Sequence, residues 1–196
     1  MKILPQATFT LQDIKEALNL GSFHLPKLAK LPNGIVVRYL KEGSVTHLYL
    51  CSGTQKKIIG VASIQKDMLS TIHPVVKGIR ISQMGLLREY RGLGLMWKLM
   101  SVLLQNYRVF ASPAMTKKGR DMWITRIKLD ITHPYLLYRP KGFQGEGSVK
   151  LFLPINKNNV SKYKDVMWDG SLKTRLLLVS PADPLIKRYE LDWKSS

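Results

Sequence analysis

The stretch Gly85-Leu-Leu-Arg-Glu-Tyr-Arg91-Gly-Leu-Gly94-Leu-Met-Trp-Lys-Leu-Met100 reads as the end of a β-strand, a glycine-spaced turn and the start of an amphipathic helix. The apolar positions of that helix continue at Leu95, Leu99, Val102 and Leu103. The first turn of a helix has amide donors with no intrahelical partner and carries the positive end of the helix dipole. A strand that enters it through glycines therefore makes a seat for a pyrophosphate. Gly92 and Gly94 let the backbone approach such a ligand with no Cβ in the way. The dinucleotide fingerprint is excluded, because its three-glycine spacing is missing and no acidic residue follows at the expected distance on a second parallel strand. A Walker loop is excluded as well, since no Gly-Lys-Ser/Thr follows.

The order of elements around this turn is equally informative. Upstream, Thr10 with Asp13 forms a weak capping pattern, and Leu11, Ile14, Ala17 and Leu18 repeat at helical spacing until Asn19 and Gly21. A Pro-punctuated link through Pro26, Pro32 and Asn33-Gly34 leads to β-rich runs at 35–40, 47–51 and 57–64, with turns at Glu42-Gly43 and Ser52-Gly53. A looser stretch over 65–74 precedes the strand at 77–86, which delivers the glycine turn and a helix over 92–106. Residues 108–111 make a short apolar strand. Ser112-Pro113 then opens a helix over 116–128, with Met115, Met122, Trp123 and Ile127 as its buried positions.

This pattern resembles the GNAT superfamily of N-acetyltransferases. The family's coenzyme A loop, Arg/Gln-x-x-Gly-x-Gly/Ala, is matched by Arg91-Gly92-Leu93-Gly94-Leu95-Met96, with Tyr90 before it and the Leu-rich helix after it. Met96 departs from the family, which prefers a small residue there. An inward-pointing Met side chain would crowd the pyrophosphate, although the amide at 96 is still available. The resemblance covers about residues 8–153. It implies an α/β (α+β) fold with a mixed, mostly antiparallel sheet flanked by helices and with splayed central strands. It also implies an acyl-CoA-binding domain over 1–153, followed by a basic and aromatic extension over 154–196 packed on the same domain. The cofactor implied is acetyl-CoA, bound by Arg91, Gly92, Leu93, Gly94, Leu95 and Met96 at the turn and by the backbone of Met84, Gly85 and Leu86 along the pantetheine arm.

The chemistry such a fold requires is modest. A neutral amine attacks the thioester, backbone groups polarise its carbonyl, and an acid reprotonates the thiolate. The family's acid is commonly a Tyr in a Leu-Tyr-x-x-x-Gly-Phe pattern. Trp123 stands near the expected helix position, and an indole cannot protonate a thiolate. Leu137-Tyr138-Arg-Pro-Lys-Gly142-Phe143 matches by letters, but Pro140 breaks a helix there, so Tyr138 is read as lying on a strand from which it can still reach the site. Ser112 is read either as the N-cap of the next helix or as a polar group facing the pantetheine or the attacking amine. Asp130 and His133 are candidate bases. His24, His47, His73 and His133 show no His-Glu-x-x-His or Cys/His spacing, so no metal is expected.

Composition bounds the rest. The chain has 196 residues, 45% of them apolar, enough for one domain with a real core. No apolar run reaches membrane-span length, and Lys2 followed by Ile-Leu-Pro reads as too short for a signal peptide, so none is expected. The single Cys51 has no partner for an internal disulfide, sits in an alternating apolar stretch and is expected to be buried in a strand. A cytoplasmic protein follows from these signals. The 31 Lys and Arg against 13 Asp and Glu give a formal charge of +18, which favours a polyanion and above all nucleic acid as partner. Residues 139–175 interleave Arg139, Lys141, Lys150, Lys157, Lys162, Lys164, Lys173 and Arg175 with Phe143, Phe152, Tyr163 and Trp168. That mixture suits a single strand tracked by charge and stacked on rings, and equally a solvated face over core aromatics. A strand over 173–179 and a short helix or tail over 181–193 end the chain. The acceptor is accordingly expected to be an amine of a nucleic acid or of a molecule associated with one, as in base modifiers of the phage Mom type, which similarly carry an acetyltransferase-like core on a small basic protein. The rival expectations are an inert nucleic-acid-binding module on the same fold and a transferase for a small amine or a protein.

Overall fold

The computed structural model describes residues 25–53, 57–69, 76–112, 115–129, 134–138, 151–168, 175–180 and 182–184. The helix expected over 10–19 lies outside them. The expected class holds: the chain is mixed α/β, with a mostly antiparallel sheet and helices. Two compact units divide it, Met1–Lys66 with Arg80–Leu103, and Asp67–Ile79 with Leu104–Ser196.

In the first unit the strand order is β1 (Lys27–Lys30), β2 (Ile35–Glu42), β3 (Val45–Ser52), β4 (Lys57–Leu69) and β5 (Val76–Leu86). Residues 67–69 of β4 and 76–79 of β5 belong to the second unit. β1 falls where the sequence reads as a link. Its Lys27 and Lys30 are exposed and it has no β-branched residue, the composition of a protected edge rather than of a central strand. Asn33 and Gly34 both take positive φ, 62° and 69°, which is the backbone of a two-residue hairpin turn, so the Pro-punctuated link is in fact the β1–β2 hairpin. The Gly43 turn joins β2 to β3 as expected, with Glu42 opposite Val45. β4 runs on to Leu69, past the expected end at Ile64 and into the stretch that reads as loose.

β3 and β4 pair so that Tyr49, Cys51, Ile58 and Val61 share one buried cluster. Cys51 is buried as expected. β5 lies antiparallel to β4: Arg80 Nη2 donates to Gln65 Oε1 at 3.0 Å, Ser82 Oγ to the Ser63 carbonyl at 3.2 Å, and the Leu87 amide to the Ile59 carbonyl at 2.9 Å. Helix α1 (Leu95–Leu104) buries Leu95, Met96, Leu99, Met100 and Leu103, the spacing of one helical face.

In the second unit the order is the start of β5, then β6 (Val109–Phe110), β9 (Arg175–Leu178), β7 (Tyr135–Tyr138) and β8 (Leu151–Pro154). The last of the described strands, β9, thus inserts between β6 and β7, antiparallel to both. Val76, Phe110, Leu137, Leu177 and Val179 form its buried cluster. Gly78 touches β6 so closely that a Cβ there would lie 2.5 Å from the Arg108 carbonyl. Pro154 lacks an amide and sits on the last strand in the order, where no ladder bond is forfeited. Among the described residues two helices belong to the unit and pack on each other, α2 (Lys117–Lys128) and α3 (Val160–Met167). α2 buries Trp123 and Ile127, two of the four positions expected, while Met115 and Met122 are half-buried.

Candidate functional site

The turn that follows β5 is built as its sequence requires. Leu87 leaves the strand, Arg88–Tyr90 make one 3-10 turn, and Arg91 returns to extended backbone. Gly92 and Gly94 both take positive φ, 83° and 69°. A residue with a Cβ would be strained at either, by roughly 1–2 kcal/mol. Among the described residues, each glycine's own chain neighbours aside, no atom lies within 4 Å of where such a Cβ would stand. None of the described residues fills that space over the turn.

Gly94 begins the helix: its carbonyl accepts from the amides of Trp97 and Lys98, both at 3.1 Å. Among the described residues the amides of Gly92, Leu93, Gly94, Leu95 and Met96 have no hydrogen-bond acceptor. The first turn of α1 has no acidic residue to repel an anion. Met96 is 8% exposed, so its side chain belongs to the buried face of α1. The crowding expected of a Met at this position is thereby relieved, and its amide is kept.

Arg91 is exposed, and its Nε donates to the Leu86 carbonyl at 3.0 Å. That bond ties the cation of the motif back to the end of β5 and keeps a positive charge in the turn. Lys57, at the start of β4, reaches the 3-10 turn from the other strand. Its Nζ lies 3.3 Å from Glu89 Oε1 and 5.5 Å from the centre of the Tyr90 ring. Backbone hydrogen bonding at Glu89, and then Lys57, hold the Glu89 carboxyl below its ordinary range. Sequence reasoning missed this clamp, because Lys57 and Glu89 are 32 residues apart and no local pattern links them.

Gly60 fixes the distance between β4 and β5 at the same end. A Cβ on Gly60 would collide with Leu86 Cδ2 and would stand 2.9 Å from the Gly85 carbonyl. Met84, Gly85 and Leu86 are half-buried at the end of β5. These residues and the turn at 91–96 all belong to the first unit.

The candidate catalytic residues fall elsewhere. Ser112 is half-buried two residues after β6, in the second unit. It is not the N-cap of the next helix. Thr116 is, with its hydroxyl accepting from the Gly119 amide at 3.2 Å, because the helix starts four residues beyond the position at which Ser112 would have capped it. Tyr138 ends β7, as the strand reading required, and pairs with Leu151. Asp130 and His133 lie outside the described residues, as do Arg139, Lys141, Phe143, Lys150 and Lys173. Trp123 is 1% exposed and serves the core. Trp168 is 8% exposed, which makes it a packing residue and not a platform for a base. Tyr163 is half-buried with Lys162 Nζ 5.4 Å from its ring centre. Lys117, Lys118 and Lys128 of α2 and Lys157, Lys162 and Lys164 at α3 are exposed. Among the described residues no cluster of three or more His, Cys, Asp or Glu is arranged to hold a metal, and no helix is long and apolar enough to cross a membrane.

No family model matches this chain, and no curated protein matches it. Among solved structures it is similar to a mutant AtaT toxin bound to the C-terminus of the antitoxin AtaR and acetyl-CoA, at 15% identity and a TM-score of 0.36 over 63% of this chain and 72% of that one. A mutant AtaT bound to the AtaR C-terminus shares 12% identity at a TM-score of 0.40, over 66% of this chain and 97% of that one. The KacTA–DNA complex shares 14% at 0.38, over 62% and 74%.

Proposed function

We propose that this protein is an acetyl-CoA-dependent N-acyltransferase of the GNAT type. One observation carries the reading: five successive amides, Gly92 to Met96, have no acceptor among the described residues, at a strand-to-helix turn whose two glycines leave open space above them. Oriented amides at a helix N-terminus suit a pyrophosphate, and Arg91 adds a cation beside them. The pantetheine arm runs back along Met84, Gly85 and Leu86, whose amides and carbonyls bind it by main-chain hydrogen bonds. The acyl-CoA-binding part covers 1–153 and the basic extension 154–196.

The acceptor we propose is an amine of a nucleic acid or of a molecule bound to one, and the sharper form of this reading is a base-modifying enzyme of the Mom type. Its support is the +18 charge together with the exposed lysines of α2 and α3. Tyr138 is the proposed acid for the leaving thiolate, Ser112 a group facing the pantetheine or the amine, and Asp130 a base. A second reading, an inert nucleic-acid-binding protein on the same fold, is favoured by the burial of Trp123 where the family carries its helix acid.

Calorimetry with coenzyme A and with acetyl-CoA tests the cofactor site. Gly94→Asp places a carboxylate over the amides and strains the turn, so binding should vanish while the far-UV and thermal signatures of the fold persist. Unchanged affinity in folded Gly94→Asp refutes the site. Radiolabelled acetyl transfer to DNA, transfer RNA and a polyamine in parallel then separates the acceptor classes. Binding without transfer to any of them favours the inert reading.

A further inference from the structure

In the same unit as the glycine turn, neighbouring strands assemble three side chains that the cofactor site does not use. His47 on β3 stands opposite Ser63 on β4, and its Nδ1 lies 3.0 Å from Ser63 Oγ. Its Nε2 lies 3.4 Å from Oε2 of Glu42, at the end of β2. Ser63 is 5% exposed, and a hydroxyl buried that deeply is costly unless it is hydrogen-bonded. The pair His47–Ser63 continues a row whose other cross-strand pairs, Tyr49–Val61 and Cys51–Ile58, form the buried apolar cluster. An apolar pair would satisfy that row more simply.

The order of the three groups favours one arrangement of protons. An ionised carboxylate only accepts, so the imidazole nitrogen facing Glu42 carries the hydrogen when the ring is neutral. That leaves the Nδ1 lone pair toward Ser63, whose O–H donates to it. A hydroxyl hydrogen-bonded to an imidazole, with a carboxylate at ion-pair distance from the ring's other nitrogen, is an arrangement in which a hydroxyl can receive one proton while passing on another. The neighbouring cations have other acceptors: Arg80 donates to Gln65 Oε1, and Arg38 Nη1 to the Leu25 carbonyl. Tyr49 and Gln65 are the further polar side chains that follow along the same row.

Ser82 places this array relative to the cofactor segment. Its hydroxyl donates to the Ser63 carbonyl at 3.2 Å, and it stands four residues before Leu86 on β5. At the strand rise that is roughly 13 Å from the start of the turn. An extended pantetheine arm leaving the turn along β5 points its thioester end toward this position.

The geometry points to Glu42, His47 and Ser63 as a proton relay for the attacking amine, in the place given above to Asp130, an inference that rests on reading the glycine turn as an acetyl-CoA site. The amine nitrogen forms its bond to the acetyl carbonyl carbon, and the C–S bond breaks with its electron pair leaving on the coenzyme A sulfur. As the new amide nitrogen loses its proton to Ser63 Oγ, the proton of Ser63 passes to His47 Nδ1. The imidazolium so formed faces Glu42. The thiolate takes a proton from the acid proposed above, solvent restores that acid, His47 releases its extra proton to solvent, and the products are the acetylated amine and free coenzyme A. Ser63 touches the substrate in this scheme, while His47 and Glu42 act through it.

Two measurements on the full chain test the relay. Long-range proton–nitrogen correlation on histidine-labelled protein, at a pH where the ring is neutral, should show His47 with its proton on Nε2. A proton on Nδ1 overturns the relay, because His47 would then donate to Ser63 and could not take its proton. The second measurement follows coenzyme A thiol release from acetyl-CoA with n-butylamine as a small unhindered amine. His47→Gln and Ser63→Ala should lower kcat by about tenfold to a hundredfold, with the KM for acetyl-CoA unchanged. Full kcat in folded His47→Gln overturns the relay, as does an acetyl ester on Ser63 in the intact mass, which would make Ser63 a nucleophile. Failure of the cofactor reading shows separately, as absence of coenzyme A binding heat in wild-type protein whose His47 carries the Nε2 proton.

Discussion

Arg108 grips Asp183 through two parallel hydrogen bonds, Nε to Oδ2 at 2.7 Å and Nη2 to Oδ1 at 2.8 Å. The side chains are 28% and 12% exposed, so the pair is largely withdrawn from water. It joins the residue before β6 to a segment 75 positions later, after the inserted strand β9. Bidentate charge-assisted bonds of this kind are among the stronger polar interactions, and removing one partner leaves the other charge partly buried. Asp183→Ala should therefore cost about 1–3 kcal/mol in denaturant unfolding. A midpoint unchanged from wild type would mean that the pair is energetically neutral.

Gly60 couples the fold to the end of β5 that leads into the glycine turn. Gly60→Ala forces a Cβ against Leu86 and the Gly85 carbonyl, so β5 must move away from β4 where it enters the glycine turn. Overpacking of this order costs about 1–3 kcal/mol. The expected result is a lowered melting temperature together with weaker coenzyme A binding. Lowered stability with unchanged affinity would separate the strand end from the site.

The turn was legible because its signal is local: glycine spacing, a preceding strand and a following apolar helix face all lie between Gly85 and Met100, and backbone conformation alone makes them what they are. The antiparallel run from Ile35 to Ile64 was legible for the same reason, since alternation and Glu-Gly or Ser-Gly turns are short-range. What escaped the sequence depends on strand register. His47 and Ser63 become neighbours through the β3–β4 pairing, and Lys57 meets Glu89 through the β4–β5 pairing. β1 escaped because an edge strand of lysines has the composition of a loop. α3 reads as part of a basic and aromatic tract, because its buried Val160 and Met167 are outweighed by the lysines around them.

Burial pushes the Cys51 thiol up, and the nearby Arg38 opposes this more weakly. The residue is 1% exposed, in the cluster with Tyr49 and Val61. Since the thiolate is the reactive form, the raised thiol and its burial act together against modification near neutral pH. In native protein a disulfide reagent should react more than about 100-fold slower than in denaturant, because reaction requires opening of the sheet. Fast native reaction would show that the β3–β4 core opens readily.

The lysines of α2 and α3 set a test of nucleic acid binding. Each phosphate neutralised releases condensed counterions, so a protein neutralising about five phosphates should drop by roughly two to three decades in affinity between about 50 and 200 mM salt. Reversing Lys117, Lys118 and Lys128 to Glu should flatten that slope by about one unit for every phosphate no longer neutralised, and weaken binding to all sequences alike. No binding to single- or double-stranded DNA or RNA at low salt would favour a small amine or a protein as acceptor.

Tyr138 closes β7 opposite Leu151, on the strand that also pairs with β9. Pro140, two residues on in the sequence, is unsuited to a helix interior, so the part proposed for Tyr138 is one played from a strand end. A phenol near the thioester sulfur donates its proton to the leaving thiolate or orients the amine, and either contribution belongs mainly to the transition state. Tyr138→Phe keeps the ring and removes the hydroxyl. The expected outcome is a rate loss of about tenfold to a thousandfold with coenzyme A affinity nearly unchanged. A ring that serves packing alone predicts the opposite pattern, a small change in stability and an undiminished rate. Full activity in Tyr138→Phe would transfer the acid's part to a bound water or to Asp130 or His133, and single substitutions at those two positions, measured for kcat against KM, would then decide between them.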